Sequence, residues 1–339
     1  MSRSYFGRRI FIESKRRLVW ILIFVLIFNS TGPALGQESP TPPPSTDAPA
    51  STDLAPSPPL ETSTSDAPPP PPATPPPTPI AVVCGEVVKN VPGDYQTIQA
   101  AIDAAAMGDT VRVSAGTYSE GVVMKRGICL EGAGVDQTII SNPNGYGIDV
   151  TDVVSARLTG FTAKNNAKRG LNIHSSSYIS VESCRLTENS DQGGGGMFVF
   201  GSGDVTVERC LIDNNRSTLT GGGISLSNSN TGMVTLRNVT VANNAAEGEA
   251  GLWAASPVTI SNSIFWGNTG RYNNVDLRDY CYQCNNVAVS NSNIQTYHDG
   301  GQSSLPQGNI SADPMFTADF RLGAESPATG MGALPMVAN

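Results

Sequence analysis

The sequence predicts an all-β fold, a parallel β-helix in which every turn of a solenoid is built from short single strands. Three observations carry that reading. An asparagine recurs at Asn166, Asn189, Asn215, Asn244 and Asn268, at spacings of 23, 26, 29 and 24 residues. A glycine opens each unit, at Gly147, Gly170, Gly196, Gly223 and Gly251, followed by apolar residues one and three places on, such as Ile148 and Val150 or Leu171 and Ile173. A second apolar position follows in every unit, at Leu158, Val181, Val207, Leu236 and Ile260. Alternation of this kind marks strands rather than helices. Short strands recurring every 23 to 29 residues describe one coil of a solenoid.

In such a solenoid each residue stacks on its equivalent one strand spacing away, about 4.8 Å. The recurrent asparagines are expected to point inward at a turn and form a ladder, each amide bonding the next. A buried polar column is tolerable only when it is paired in this way. The glycines allow bends that side chains would obstruct. An Asn-rich, Gly-rich stretch also suits a metal or phosphate site, but the repeat accounts for it as architecture.

From the N-terminus, residues 1–17 carry Arg3, Arg8, Arg9, Lys15, Arg16 and Arg17 against a lone Glu13. Eleven apolar residues follow at 18–28, then small residues ending in Ala34-x-Gly36. This is the pattern of a secretory signal, residues 1–36, and the apolar run is shorter than the roughly 20 residues a membrane span needs. An uncleaved anchor is the alternative. Residues 37–80 are Pro, Ser, Thr, Ala and Asp with almost nothing to bury, a semi-rigid disordered linker. The β-helix domain is assigned to 81–312 and a C-terminal capping tail to 313–339. At the start of the domain, Ile98, Ile102 and Ala105 give an amphipathic helix with Asp94 or Thr97 as N-cap and Gly108 as stop. A solenoid end is an unpaired sheet edge, and this helix is placed to cap it.

Removing Glu13 and the six N-terminal cations leaves 28 acidic and 15 basic side chains, a formal −13. No basic stripe remains for nucleic acid, which is excluded as a partner.

The run "YQTIQAAIDAA…GDTVRVSAGTYSE" resembles the start of right-handed parallel β-helix proteins of the pectin-lyase-like superfamily. The end, "ADPMFTADFRLGAESPATGMGA" at 312–333, is similar to the D-x-x-L…SPA…G tail of secreted members, here Asp319, Leu322, Ser326, Pro327 and Ala328. The resemblance covers about residues 84–333 and implies a right-handed coil. Enzymes of that family that cleave acidic polysaccharides use a Ca²⁺-binding Asp cluster with an Arg or Lys base. Its hydrolases use paired aspartates with His and Arg-x-Lys, and its epimerases an Asp-Pro-His-Asp motif. The coils contain none of these motifs, and His174 and His298 are the two histidines of the chain. No cofactor is implied, with Ca²⁺ entering only if the chain is a lyase.

The outward positions of the glycine-opened strand suggest a binding face. One column reads Asp149, Asn172, Phe198, Ser225, Trp253, and its neighbour Thr151, His174, Phe200, Ser227, Ala255. Aromatic faces at Phe198, Phe200 and Trp253 suit sugar rings, while Asp149, Asn172 and His174 suit hydroxyls; the alternative is a satellite core under folded-back loops. Coil length varies between the asparagine and the next glycine, so "SDQGGGG" and "RSTLTGGG" are expected to rim this strand. A second outward column holds Glu182 and Glu208 beside Arg237. Two carboxylates one coil apart approach a glycosidase pair, but charge compensation on a solvated face is the simpler reading. Cys184 and Cys210 are read as small buried apolar residues, with disulfides at Cys84–Cys129 and Cys281–Cys284.

The sequence therefore points to a secreted or cell-surface monomer that binds polysaccharide or a cell-surface glycan, touching membrane only through an uncleaved N-terminal segment. The alternatives are a lyase or hydrolase with a non-standard active site, and a structural or adhesive module without catalysis.

Overall fold

A computed structural model describes residues 83–271, 275–280, 287–299 and 304–332. The segment 1–36, the linker 37–80 and the Cys281–Cys284 pair lie outside the described residues.

Each coil runs through three strands, as in Leu171–His174, Ser177–Glu182 and Arg185–Thr187. Their equivalents stack into an opening sheet of eight strands, a middle sheet of nine and a closing sheet of eight. Every pairing is parallel and joins a strand to its counterpart one coil away: Leu171 with Met197, Val181 with Val207, Leu186 with Ile212. The fold is an all-β parallel solenoid of about eight turns with one short helix. A fourth set of two-residue strands, from Ser190–Asp191 to Thr269–Gly270, follows the asparagines. The inward residues of all three sheets form one apolar core running the length of the solenoid.

The asparagines stand in a single buried column, each no more than 3% exposed. Asn166 Nδ2 donates to Asn189 Oδ1 at 2.7 Å, Asn189 to Asn215 at 2.9 Å, Asn215 to Asn244 at 3.0 Å and Asn244 to Asn268 at 2.9 Å. Each Oδ1 also accepts the backbone N–H of the preceding rung, and the second Nδ2 hydrogen of Asn189, Asn215 and Asn268 goes to a strand carbonyl. Amide donors and acceptors are thus used together, which makes the burial tolerable.

The opening glycines belong to the same device. A Cβ at Gly147 would stand 2.7 Å from Asn166 Nδ2, and one at Gly170 2.7 Å from Asn189 Nδ2. Absence of a side chain there is the room in which the ladder amide sits. The residue before each rung takes a left-handed conformation: Asn165, Glu188, Asn214 and Asn243 at φ +53° to +56°, and Gly267 at +68°. Asparagine and glycine tolerate that region best, which explains the Asn-Asn doublets at 165–166, 214–215 and 243–244.

The column ends differently. At 276 an aspartate replaces the opening glycine, and its Oδ1 takes both the Nδ2 of Asn268, at 2.7 Å, and its backbone N–H, at 3.0 Å. The last coil supplies no asparagine at its own close, so its opening residue keeps a side chain and caps the ladder.

Cys184 and Cys210 are free and buried, but they do not act as plain apolar fillers. Cys210 Sγ accepts the N–H of Cys184 at 3.4 Å. Two coils on, Ser263 and Ser292 do the same for Val239 and Ser263, and Asn309 closes the column against Ser292. The cysteines occupy a turn-capping position where a thiol substitutes for a hydroxyl.

The helix spans Ile98–Ala104, with Thr97 as its N-cap accepting from Ala100 N–H. Ile98, Ala101 and Ile102 enter the core beside the outermost strand of the middle sheet, Val88–Val91. Cys84 is bonded to Cys129 on the third strand of that sheet. At the other end residues 313–332 fold back, and Gly332 donates to Asn262 O beside Thr240 and Ile264. Among the described residues no helix is long and apolar enough to cross a membrane.

Candidate functional site

The outer face of the opening sheet carries the column Asp149, Asn172, Phe198, Ser225, Trp253, Arg278 and His298 in strict register. Phe198, Phe200 and Trp253 are half-buried and belong to no part of the apolar core. His174 and Phe200, paired across adjacent strands, stack with ring centres 5.0 Å apart and planes 5° apart. Their separation is close to the strand spacing of about 4.8 Å. These two rings therefore stand on edge, facing along the solenoid axis. Phe198 stacks on Phe200 at 6.1 Å, and Trp253 meets Tyr280 at 5.1 Å.

Between the phenylalanines and Trp253 one coil carries only Ser225 and Ser227, 2% and 8% exposed. The loops that precede the strands press close here. Gly194 and Gly221 adopt φ of +63° and +62°, and a Cβ on either would collide with its own strand, at Met197 O and Ile224 O. The two loops thus flank the aromatic strand along one margin, and Gly194 N–H donates to Thr220 O to bind them together.

Arg169 organises the other end of the face. Its Nε lies 3.1 Å from Asp191 and donates to Gly193 O at 2.8 Å, its Nη1 donates to Asn172 Oδ1 at 2.8 Å, and its guanidinium lies 4.1 Å over Phe198. Asn172 in turn donates to Asp149 at 2.9 Å, and Thr151 donates to the same oxygen at 2.7 Å. Asn172 is 5% exposed, with both ends of its amide engaged inside the protein. Its place is to align Arg169, not to meet solvent. Among the described residues the Nδ1 of His174 is buried without a hydrogen-bond partner, as are His298 Nδ1 and Arg278 Nε, the last lying 3.7 Å from Glu249 in an ion pair.

Sequence reasoning missed Arg169, Tyr280 and Arg278. The signal for Arg169 was present: it precedes an opening glycine where later coils have Gly195, Gly222 and Ala250. A long cation at a position that the later coils give to glycine and alanine requires a purpose that the repeat does not supply.

The Glu182–Glu208 column is a charge ladder. Arg157 holds Glu182 in a two-point hydrogen bond at 3.1 and 3.0 Å, Arg209 bridges Glu182 and Glu208, and Arg237 pairs with Glu208 at 3.0 Å. The Arg157 hydrogen bonds hold the Glu182 carboxyl below its ordinary range, the reverse of what an acid catalyst requires. Among the described residues no cluster of three or more His, Cys, Asp or Glu is arranged to hold a metal ion.

A family model described as a right-handed β-helix region matches residues 117–256. The coil is right-handed. No curated protein matches the chain. Among solved structures the chain is similar to a pectin methylesterase from carrot, at 14% identity over 67% of this chain and 86% of that one, with a TM-score of 0.38. A rice weevil pectin methyl esterase gives 14% identity over 71% and 87%, with 0.39. An alginate lyase from Paenibacillus gives 12% over 63% and 96%, with 0.31. Identities this low carry no residue role across.

Proposed function

We propose that this chain is an exported polysaccharide-binding β-helix whose ligand lies along the outer face of the opening sheet. The observation that carries this is the half-buried aromatic row outside the core, Phe198, Phe200 and Trp253, held in register on a rigid sheet. Aromatic rings on a preorganised backbone offer contact area at little entropic cost. The ring faces turned toward the serine coil are those not spent on His174 or Arg169, so sugar rings seat over Ser225 and Ser227. Phe198 and Trp253, two strand spacings or about 9.6 Å apart, flank them. Asp149 and His174 stand beside this row as hydroxyl partners, and Asn172 contributes through Arg169. Residues 1–36 serve as export signal and 37–80 as a spacer that presents the domain away from its attachment.

Binding rather than catalysis is favoured because the stacked carboxylates are neutralised by arginine. The test is affinity electrophoresis on a panel of plant, algal and bacterial wall polysaccharides, with reducing-end and unsaturated-product assays in parallel. Retardation on at least one polysaccharide without product release is the expected result. Trp253→Ala should weaken that binding by roughly 1–3 kcal/mol, taking losses of ring stacking on alanine substitution as a guide. Retardation unchanged by Trp253→Ala would remove the aromatic face from the reading, and product release would make the chain an enzyme.

A further inference from the structure

We propose that Asp276 is a protonation latch that secures the last coil of the solenoid in acid and releases it as the carboxyl ionises. Every other rung of the ladder ends in a neutral amide. Here the column closes on a carboxyl that is 0% exposed, between Asn268 on one coil and Thr296 leading into the last strand, Tyr297–Asp299. Among the described residues its carboxyl accepts from neutral donors on Asn268 and Thr296, the side-chain amide and backbone N–H of the first and the hydroxyl, at 2.6 Å, and backbone N–H of the second, while Asp276 N–H donates to Thr296 Oγ1 at 2.8 Å. A buried anion satisfied only by neutral groups bears an uncompensated desolvation cost.

Among the described side chains, the charged and titratable groups on the surrounding elements are Glu249 before the preceding strand, Arg278 and Asp279 on its own strand, and Tyr297 and His298 on the next. Arg278 is committed to Glu249 and stands with His298 in the outward column. Burial pushes the Asp276 carboxyl from 3.8 up to about 6, against the pull of its hydrogen bonds. A folded-state value raised above the unfolded one means that the coil is most secure at low pH and loses that security as pH rises toward 6. A shift of about two units corresponds to roughly a 100-fold change in the opening constant. Arg278 follows Trp253 in the outward column, and Tyr280, packed on Trp253, lies on the same segment. If the face binds glycan, opening of this coil weakens that binding above pH 6. The latch itself does not depend on that reading, because it is measured without ligand.

The experiment is hydrogen exchange of the full chain at pH 4 and pH 7.5, corrected for intrinsic rates, comparing peptides over 275–280 and 287–299 with peptides over 205–237. The last coil should open about 100-fold more readily at the higher pH, with a midpoint near 6 and the central peptides unchanged. Asp276→Asn restores an amide rung and should abolish the difference. Thr296→Val removes a donor that favours the anion and should move the midpoint upward, which keeps the latch testable if the asparagine variant folds poorly. A wild-type last coil whose protection is independent of pH overturns the proposal. So does an Asp276→Asn chain that keeps the same dependence.

Discussion

A single ladder amide illustrates how much one residue does in this molecule. Asn215 accepts from Asn189 twice, donates to Asn244 and Leu186 O, and takes its own backbone acceptor from Asn244. Asn215→Leu leaves these buried groups unpaired and should lower stability by roughly 1–3 kcal/mol, read as a fall in denaturant midpoint. Gly170→Ala should be comparably harmful although alanine is small, because its Cβ meets the Asn189 amide and the Gly196 carbonyl. The asparagine column was legible because five copies share one spacing pattern. The left-handed residues before the rungs were not read, since only three of the five are asparagine. Arg169 escaped because it occurs once, and repeat logic is blind to what departs from the repeat. Asp276 escaped for the same reason.

At the scale of elements, strands and helix were legible from alternation and capping signals, and the helix begins after Thr97, one of the two caps the sequence offered. Thr97→Ala should cost about 1 kcal/mol. The Cys84–Cys129 bond closes 45 residues and ties the entering chain past the outermost strand to the third strand of the middle sheet. Replacing both cysteines by serine should lower stability by roughly 2–4 kcal/mol, with exchange rising first in Val88–Val91. Stability unchanged by that replacement would show the edge strand secure without the bond. Cys184 and Cys210 should remain free under denaturing thiol counting. On the middle sheet the arginine ladder depresses Glu182, so its contribution is present above the ordinary value of 4.5 and fades as pH falls through the lowered one. Glu182→Gln should therefore matter at pH 7, by about 0.5–1 kcal/mol, and little near pH 2.

Across the whole molecule, the solenoid follows from one repeated bargain among asparagine, glycine and alternating apolar residues, which is why its architecture was readable from sequence. The outer face was only partly readable. Register placed Phe198, Phe200 and Trp253 in their columns, but alternation cannot tell which outward side chains their neighbours cover, and it left Asn172 looking free when Arg169 occupies it. The loops and the arginine that shape this face are set by contacts between coils that share no pattern. The face is the claim on which the functional account stands. Trp253 and Trp266 are the tryptophans of residues 81–339, the third being Trp20, so residues 81–339 carrying Trp266→Phe report on Trp253 alone. Titrated with the polysaccharide that the chain retains in electrophoresis, its emission should change saturably, at the concentration at which retardation is half-complete. Retardation with no change in Trp253 emission would place the ligand elsewhere and contradict the account.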